Sequence, residues 1–205
     1  MPRAKNGSLQ KAILDEARRV LVTEGYTQLS MRRIASAVGC TATSIYLYFR
    51  NKDALIHALI DEGMLQLQGE LAGVLERESE LSARLEGVCR TYVEWGLAHP
   101  EFYEVMFMLH PKRMERYPAR KYRRARKNLE AIAGVLAQAL GLPAPSEELD
   151  VATTVVWSSL HGTVSLLIAG RVDARVDREL LIEGAVQHAL RSALPQSTPS
   201  SPSEG

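Results

Sequence analysis

The chain has 205 residues, 46% hydrophobic and 24% charged, which is the composition of a globular protein and excludes wholesale disorder. Its two cysteines are too few for a disulfide framework, and neither a secretory signal nor a membrane-length apolar run is visible, so we expect a cytoplasmic protein. The net charge of +1 divides into +6 for residues 1–52 and −5 for the rest, which indicates either a polyanion partner for the N-terminal segment or a solvated charged face.

The N-terminal segment reads as four helices in close succession. An apolar stripe over residues 9–24 predicts the first helix, which Gly25 ends. The second helix ends at Gly39. Three later helices each begin after a side chain that can cap a helix N-terminus, namely Ser30, Thr41 and Asn51.

Helical periodicity continues along the rest of the chain, without the alternation typical of strands, so the predicted fold class is all-α. Further predicted helices cover residues 52–78, 82–98, a short segment between Pro100 and Pro111, 119–140, 147–169 and 177–194. The tail, residues 195–205, has too little apolar content to fold and is predicted to be disordered.

The third predicted helix has an apolar side and a polar side. With Ile45 as the buried direction and about 100° per residue, Phe49 and Ala42 fall on the same side. The opposite side carries Thr43, Ser44, Tyr46 and Leu47. Hydroxyl groups can reach base edges and phosphate oxygens, and Leu47 can pack on a thymine methyl. Two short helices around a glycine turn, the second with a free outer side, predict a helix-turn-helix.

Basic residues flank this third helix. Arg32 and Arg33 open the second helix, where one can reach a guanine edge and the other can neutralise a phosphate. Lys52 opens the fourth helix and is placed to meet a phosphate. Either arginine alone would be an ordinary solvated residue at a helix start, but the combined pattern favours contact with DNA.

A resemblance to a known family rests on two stretches, "EGYTQLSMRRIASAVG" at residues 24–39 and "TSIYLYFRNKDAL" at residues 43–55. Residues 9–55 resemble the N-terminal DNA-binding domain of the TetR family of bacterial transcriptional regulators. The resemblance implies a dimeric regulator whose third helix enters the major groove of a DNA operator. We expect neither an enzyme nor a cofactor. We assign DNA contact to Arg32, Thr41, Thr43, Ser44, Tyr46, Leu47, Tyr48 and Lys52.

The resemblance divides the chain into a helix-turn-helix domain over residues 1–52, a helical ligand-binding and dimerisation domain over 53–194, and the tail. "VVWSSLHGTVSLLIAGR" at residues 155–171 resembles the Trp-x-x-x-His-Gly signature of one C-terminal subclass, and "YVEWGLAHPEFYEVMF" at residues 92–107 resembles its usual partner segment.

Large side chains in these segments can line an effector pocket, although they also suit an ordinary core. The pocket candidates are Tyr92, Trp95, Phe102, Tyr103, Met106, Phe107, Trp157 and His161. His161 has two interpretations: a buried imidazole bonded to a backbone carbonyl, which we favour, or an effector contact. No Cys, His or carboxylate cluster adjoins it in sequence, so no metal site is expected.

The last two predicted helices carry more apolar surface than one core needs. A two-fold bundle with the same helices of a second chain would bury it. Its candidates are Val151, Val155, Leu160, Leu167, Leu180, Leu181, Ala185 and Ala189. Residues 112–127 hold nine basic residues and one acid, which fits a second phosphate contact, an anionic effector or a solvated helix start, the last being favoured.

These features together predict a repressor that leaves a palindromic operator when a small-molecule effector binds, with activation as an alternative sign. A helical enzyme would need an acid–base or nucleophile set, and the histidines lie in no such motif. An architectural DNA-coating protein would be basic throughout, whereas the chain beyond residue 52 is acidic.

Overall fold

A computed structural model describes residues 3–108 and 119–193. In those ranges every regular element is helical, which confirms the all-α fold class. The helices are α1 Arg3–Glu24, α2 Met31–Ala37, α3 Ala42–Tyr46, α4 Lys52–Arg77, α5 Leu81–Ala98, α6 Pro100–Tyr103, α7 Ala119–Leu140, α8 Glu147–Ile168 and α9 Arg178–Ala193. A 3-10 turn, Tyr26–Gln28, follows α1, and a π-helical turn, Glu104–Met108, continues α6.

The predicted N-terminal caps are present. Each capping side chain accepts a hydrogen bond from the backbone N–H three residues later: Ser30 at 3.2 Å, Thr41 at 3.0 Å and Asn51 at 2.8 Å. These bonds satisfy N–H groups that the first turn of a helix leaves without a partner. The starts of α2, α3 and α4 therefore follow directly from local sequence.

One compact unit, here unit one, comprises residues 1–68 with 98–126. In it α1 packs against α2 and α6, and α2 packs against α3. Unit one includes the first part of α4, where Leu55, Ile56 and Leu59 are buried, and the domain boundary after residue 52 stays a prediction.

Unit two comprises residues 69–97 with 127–205, and in it α8 packs against α9. Arg90 of α5 donates hydrogen bonds to Glu86 at 2.9 Å and to Glu183 of α9 at 2.7 Å. Hydrogen bonds to the carboxylates of Glu183 and Glu86 raise the pKa of Arg90. The bond to Glu183 joins α5 to α9.

Three positions predicted for a subunit interface lie inside unit two. Leu160, Ala185 and Ala189 are buried within the protomer, so they are not available to a partner. At about 100° per residue, Leu160 is about 140° around α8 from exposed Val155. The apolar residues left exposed on these helices form what we call the α8–α9 face: Val151, Val155, Leu166 and Leu180. Predicted Leu167 and Leu181 are half-buried.

Two sequence predictions concern residues outside the ranges 3–108 and 119–193. The disordered tail, residues 195–205, lies outside the described residues, as do residues 112–118 of the basic stretch. Within the described ranges α8 is also long and apolar enough to cross a membrane, by length and composition only. A core helix of a globular protein meets the same criterion, and α8 packs against α9.

Gly87 of α5 lies where α4 comes close in unit two. A Cβ atom at this position would stand 2.5 Å from Cγ1 of Val74, a distance that real Cβ contacts do not reach. Val74 is buried and β-branched, so its methyl group has little freedom to move away. Gly69 of α4 offers a matched comparison, because a Cβ there meets nothing within 4 Å.

We expect Gly87→Ala to lower the free energy of unfolding by about 1–3 kcal/mol through overpacking. Gly69→Ala should instead raise it by about 0.5–1 kcal/mol, because alanine loses less backbone entropy in a helix. Urea unfolding of the two variants beside the wild type measures both changes. Equal effects of the two substitutions would contradict the close approach of α4 to α5.

Candidate nucleic-acid interface and ligand-binding region

The turn between α2 and α3 is built on Gly39. Its φ of 70° lies in the left-handed region that side chains other than glycine rarely adopt. The N–H of Gly39 donates to the Ser36 carbonyl at 3.2 Å, and the N–H of Cys40 donates to the Ala35 carbonyl at 2.9 Å. These bonds end α2 and reverse the chain, so α3 starts directly across the turn.

The buried side of α3 is narrower than predicted. Ile45 is fully buried and Phe49 nearly so, as expected, but Ala42 is exposed and its predicted burial is wrong. Ala42 is the first residue of a five-residue helix, at the edge of the buried side, where a methyl group is too short to reach the core. Ile45 and Phe49 are therefore the buried side chains that orient α3.

The opposite side of α3 faces solvent as predicted. We call Thr43, Tyr46 and Leu47 the outer face of α3; Tyr46 is 50% exposed and Leu47 81% exposed. Ser44 is half-buried, and its hydroxyl oxygen lies 2.8 Å from that of Thr41. That bond uses one of the two hydroxyl protons, so one donor remains for another partner. Tyr48, also predicted to contact DNA, is half-buried.

The structure separates the two arginines of α2. The guanidinium of Arg33 donates to both carboxylate oxygens of Glu24, with Nη1 at 2.6 Å from Oε2. This bond lowers the pKa of Glu24 and raises that of Arg33. Arg32 is exposed and forms no ion pair or hydrogen bond with any residue that the structure describes. Of the two cations, Arg32 is the one left available to a ligand.

Lys52 has an intramolecular role that the sequence did not indicate. Its ammonium donates to the backbone carbonyl of Tyr26 at 2.9 Å and lies 3.8 Å from the centre of the Tyr26 ring. Partial burial lowers the pKa of Lys52. The lysine thus joins the start of α4 to the turn after α1. Its contact with a DNA phosphate stays a prediction, and the remaining N–H groups of its ammonium would have to make that contact.

A surface depression of about 480 Å³ lies on unit one and was not predicted from the sequence. Its lining includes Lys11, Asp15, Arg18 and Glu62, and the guanidinium of Arg18 reaches Asp15 at 3.0 Å and Glu62 at 2.6 Å. Small-molecule sites are mostly apolar with few polar groups. This paired, charged surface joins α1 to α4 and does not fit that description.

Unit two contains a cluster of polar aromatic side chains. The indole N–H of Trp157 donates to the hydroxyl oxygen of Tyr92 at 2.9 Å. Nδ1 of His161 lies 3.4 Å from the same oxygen, and Nε2 lies 3.4 Å from the hydroxyl of Ser165. The rings of Trp157 and His161 stack with centroids 5.0 Å apart.

These contacts answer part of the question about His161. Its two ring nitrogens lie within hydrogen-bond distance of hydroxyl groups, and the ring is half-buried, while a bond to a backbone carbonyl stays a prediction. Burial lowers its pKa, which favours the neutral ring. Since Tyr92 accepts from Trp157, its own proton can point to Nδ1, which leaves the ring proton on Nε2 toward Ser165.

The eight predicted pocket residues belong to both units. Tyr92, Trp157 and His161 contact one another in unit two, where Trp95 is buried. The other four belong to unit one: Phe102, Tyr103, Met106 and Phe107. There the rings of Tyr103 and Phe107 lie 4.8 Å apart, and Phe102 and Tyr103 are buried. In the described ranges no three His, Cys, Asp or Glu side chains are grouped as metal ligands would be.

The capped α2, the glycine turn and the outward α3 form a helix-turn-helix. The family described as bacterial regulatory proteins of the tetR family matches residues 13–59. A second family, described as the tetracyclin repressor-like C-terminal domain, matches residues 85–189, just over half of the chain. The chain belongs to the TetR family of bacterial regulatory proteins.

A relative with a similar sequence agrees with this assignment. The HTH-type transcriptional repressor Rv1474c of Mycobacterium tuberculosis is 38% identical over 65 residues, 30% of this chain and 35% of that protein. The match thus spans about a third of that repressor.

Similarity to solved structures extends over most of the chain. A protein of unknown function from Rhodococcus sp. RHA1 has a TM-score of 0.76 at 24% identity, with 91% of this chain and 96% of that chain covered. The fatty acid degradation regulator FadR from Bacillus halodurans has a TM-score of 0.68 at 19% identity, covering 88% and 94%. At these identities the similarity shows the fold.

Proposed function

We propose that this regulator is a sequence-specific repressor, which binds a palindromic operator as a homodimer and leaves it when a small-molecule effector binds. The observation that supports this best is the outer face of α3, held toward solvent by the burial of Ile45. A helix presented in this way can enter the major groove, where base pairs are distinguishable. We propose repression, and not activation, because the Mycobacterium tuberculosis relative is described as a repressor.

The availability of charge supports the same proposal. Arg32 stands exposed one helix before α3, without an intramolecular partner among the described residues. Its guanidinium can reach a phosphate or a guanine edge beside the groove that α3 enters. Residues 1–52 balance at +6, which attracts DNA to this end of the chain.

A single helix-turn-helix buries too little DNA surface to be both tight and specific, so two copies are needed. The α8–α9 face supports a two-fold interface, because Leu180 is 74% exposed and Val151 58% exposed. Gly162 and Gly184 have open space around them, which permits a partner helix to approach closely. Four such helices would form a two-fold bundle, and the two α3 helices would meet half-sites about one turn of DNA or somewhat more apart.

The effector site is proposed at the cluster of Tyr92, Trp157 and His161. Trp157 and His161 are half-buried and Tyr92 is buried, and their mutual hydrogen bonds give a few oriented polar groups beside apolar rings, as ligand sites have. Trp157, His161 and Gly162 also supply the Trp-x-x-x-His-Gly signature, so membership of that subclass belongs to the proposal. The effector must favour an arrangement that no longer fits the operator, and we propose that it acts by displacing α4.

We expect Arg32→Gln to weaken binding to operator DNA about tenfold, since one charged contact is lost. Arg33→Gln is the matched control, which should change affinity less than about threefold because Glu24 already occupies that guanidinium. Fluorescence anisotropy, with duplexes from the region flanking the coding sequence and excess competitor DNA, measures both. Wild-type binding that competitor DNA abolishes would refute sequence specificity, and equal losses in both variants would refute the role of Arg32.

We expect Leu180→Glu to dissociate the homodimer, because a carboxylate would be placed in an apolar interface. Val22→Glu is the control, since Val22 is an exposed apolar residue on α1 in unit one. Sedimentation velocity over a range of concentrations should give a dimer for the wild type and Val22→Glu, and a monomer for Leu180→Glu. A folded Leu180→Glu variant that stays dimeric would place the interface elsewhere.

A further inference from the structure

The outer face of α3 carries no side chain that reads bases through charge or an amide. Residues 41–47 are Thr, Ala, Thr, Ser, Ile, Tyr and Leu. Bidentate recognition of guanine needs Arg or Lys, that of adenine needs Asn or Gln, and cytosine is read by Asp or Glu. The helix that enters the groove therefore has hydroxyl and apolar groups as its means of distinguishing base pairs.

Leu47 dominates this face. At 81% it is the most exposed large hydrophobic side chain in the described part of the chain. Its backbone is helical, with φ −69° and ψ −24°, and its N–H donates to the Ser44 carbonyl at 3.2 Å. The position is thus fixed by α3, whose orientation follows from the buried Ile45, and is not a freely moving loop.

DNA is the occupant that the charge distribution favours for this exposed leucine. Residues 1–52 balance at +6, which attracts a polyanion more than a second protein surface. In the major groove, thymine offers an apolar group, its C5 methyl, while the other base edges offer hydrogen-bond donors and acceptors. Leucine over a polar edge would remove water without replacing its hydrogen bonds, whereas leucine over a methyl group buries apolar surface.

We propose that Leu47 reads a thymine methyl group, so that each operator half-site carries an A·T pair of fixed orientation beneath α3. The inference rests on the proposed DNA-binding function and names the base chemistry that this function uses. Thr43 also presents a methyl group on the same face and can extend the contact to a neighbouring thymine. A charged contact to guanine can then come from Arg32 on α2.

The test replaces thymine by deoxyuridine, which removes the methyl group and keeps the base pair and its other edges. Duplexes enriched from a random pool by the wild-type protein define the half-site, and each thymine in it is replaced in turn. We expect a three- to fivefold loss of affinity at one or two positions, the effect of one buried methyl group. In Leu47→Ala the loss at that position should disappear, while Tyr46→Phe should retain it.

Leu47→Ala should fold normally, since the side chain is exposed, and an unchanged thermal midpoint checks this. An enriched half-site that tolerates deoxyuridine at every position would overturn the inference and leave the proposed function intact. A penalty that persists in Leu47→Ala would likewise overturn it. Failure to enrich any sequence would overturn the proposed function itself, and the inference with it.

Discussion

The burial of Ile45 is the contact on which the functional surface depends. A helix of five residues is far too short to be stable alone, because forming its first turn costs more conformational entropy than its few bonds return. α3 exists because Ile45 and Phe49 are buried in unit one, Thr41 caps its start and Gly39 turns the chain into it. The same burial turns Tyr46 and Leu47 toward solvent. A substitution that disturbs the burial of Ile45 would therefore disrupt the outer face of α3, although it changes none of the residues of that face.

Intramolecular contacts decide which basic groups remain for DNA. Sequence alone gives Arg32, Arg33 and Lys52 similar standing, as cations at helix starts near α3. The folded chain commits Arg33 to Glu24 and brings Lys52 to the carbonyl and ring of Tyr26. Arg32 keeps no partner in the described ranges. Each committed cation joins elements that flank α3: Arg33 joins α2 to α1, and Lys52 joins α4 to the turn after α1.

Local signals made much of the fold predictable. Caps, glycine turns and helical periodicity act over a few residues, which is why the starts of α2, α3 and α4 could be read directly. Burial depends on neighbours distant in sequence, so the exposure of Ala42 and the burial of Leu160 and Ala189 within the protomer could not be predicted from their own helices. Likewise, no sequence pattern joins Lys52 to Tyr26 or Tyr92 to Trp157, because these contacts form between separate helices and turns.

The most direct measurement is hydrogen–deuterium exchange of the full chain with and without an enriched duplex. If α3 enters the groove, amides of residues 41–47 and of the first turn of α2 exchange more slowly on the duplex. A scrambled duplex of equal length, at the same salt concentration, should protect them less. Protection confined to residues 112–127, with α3 unchanged, would contradict the account and assign DNA contact to the basic stretch.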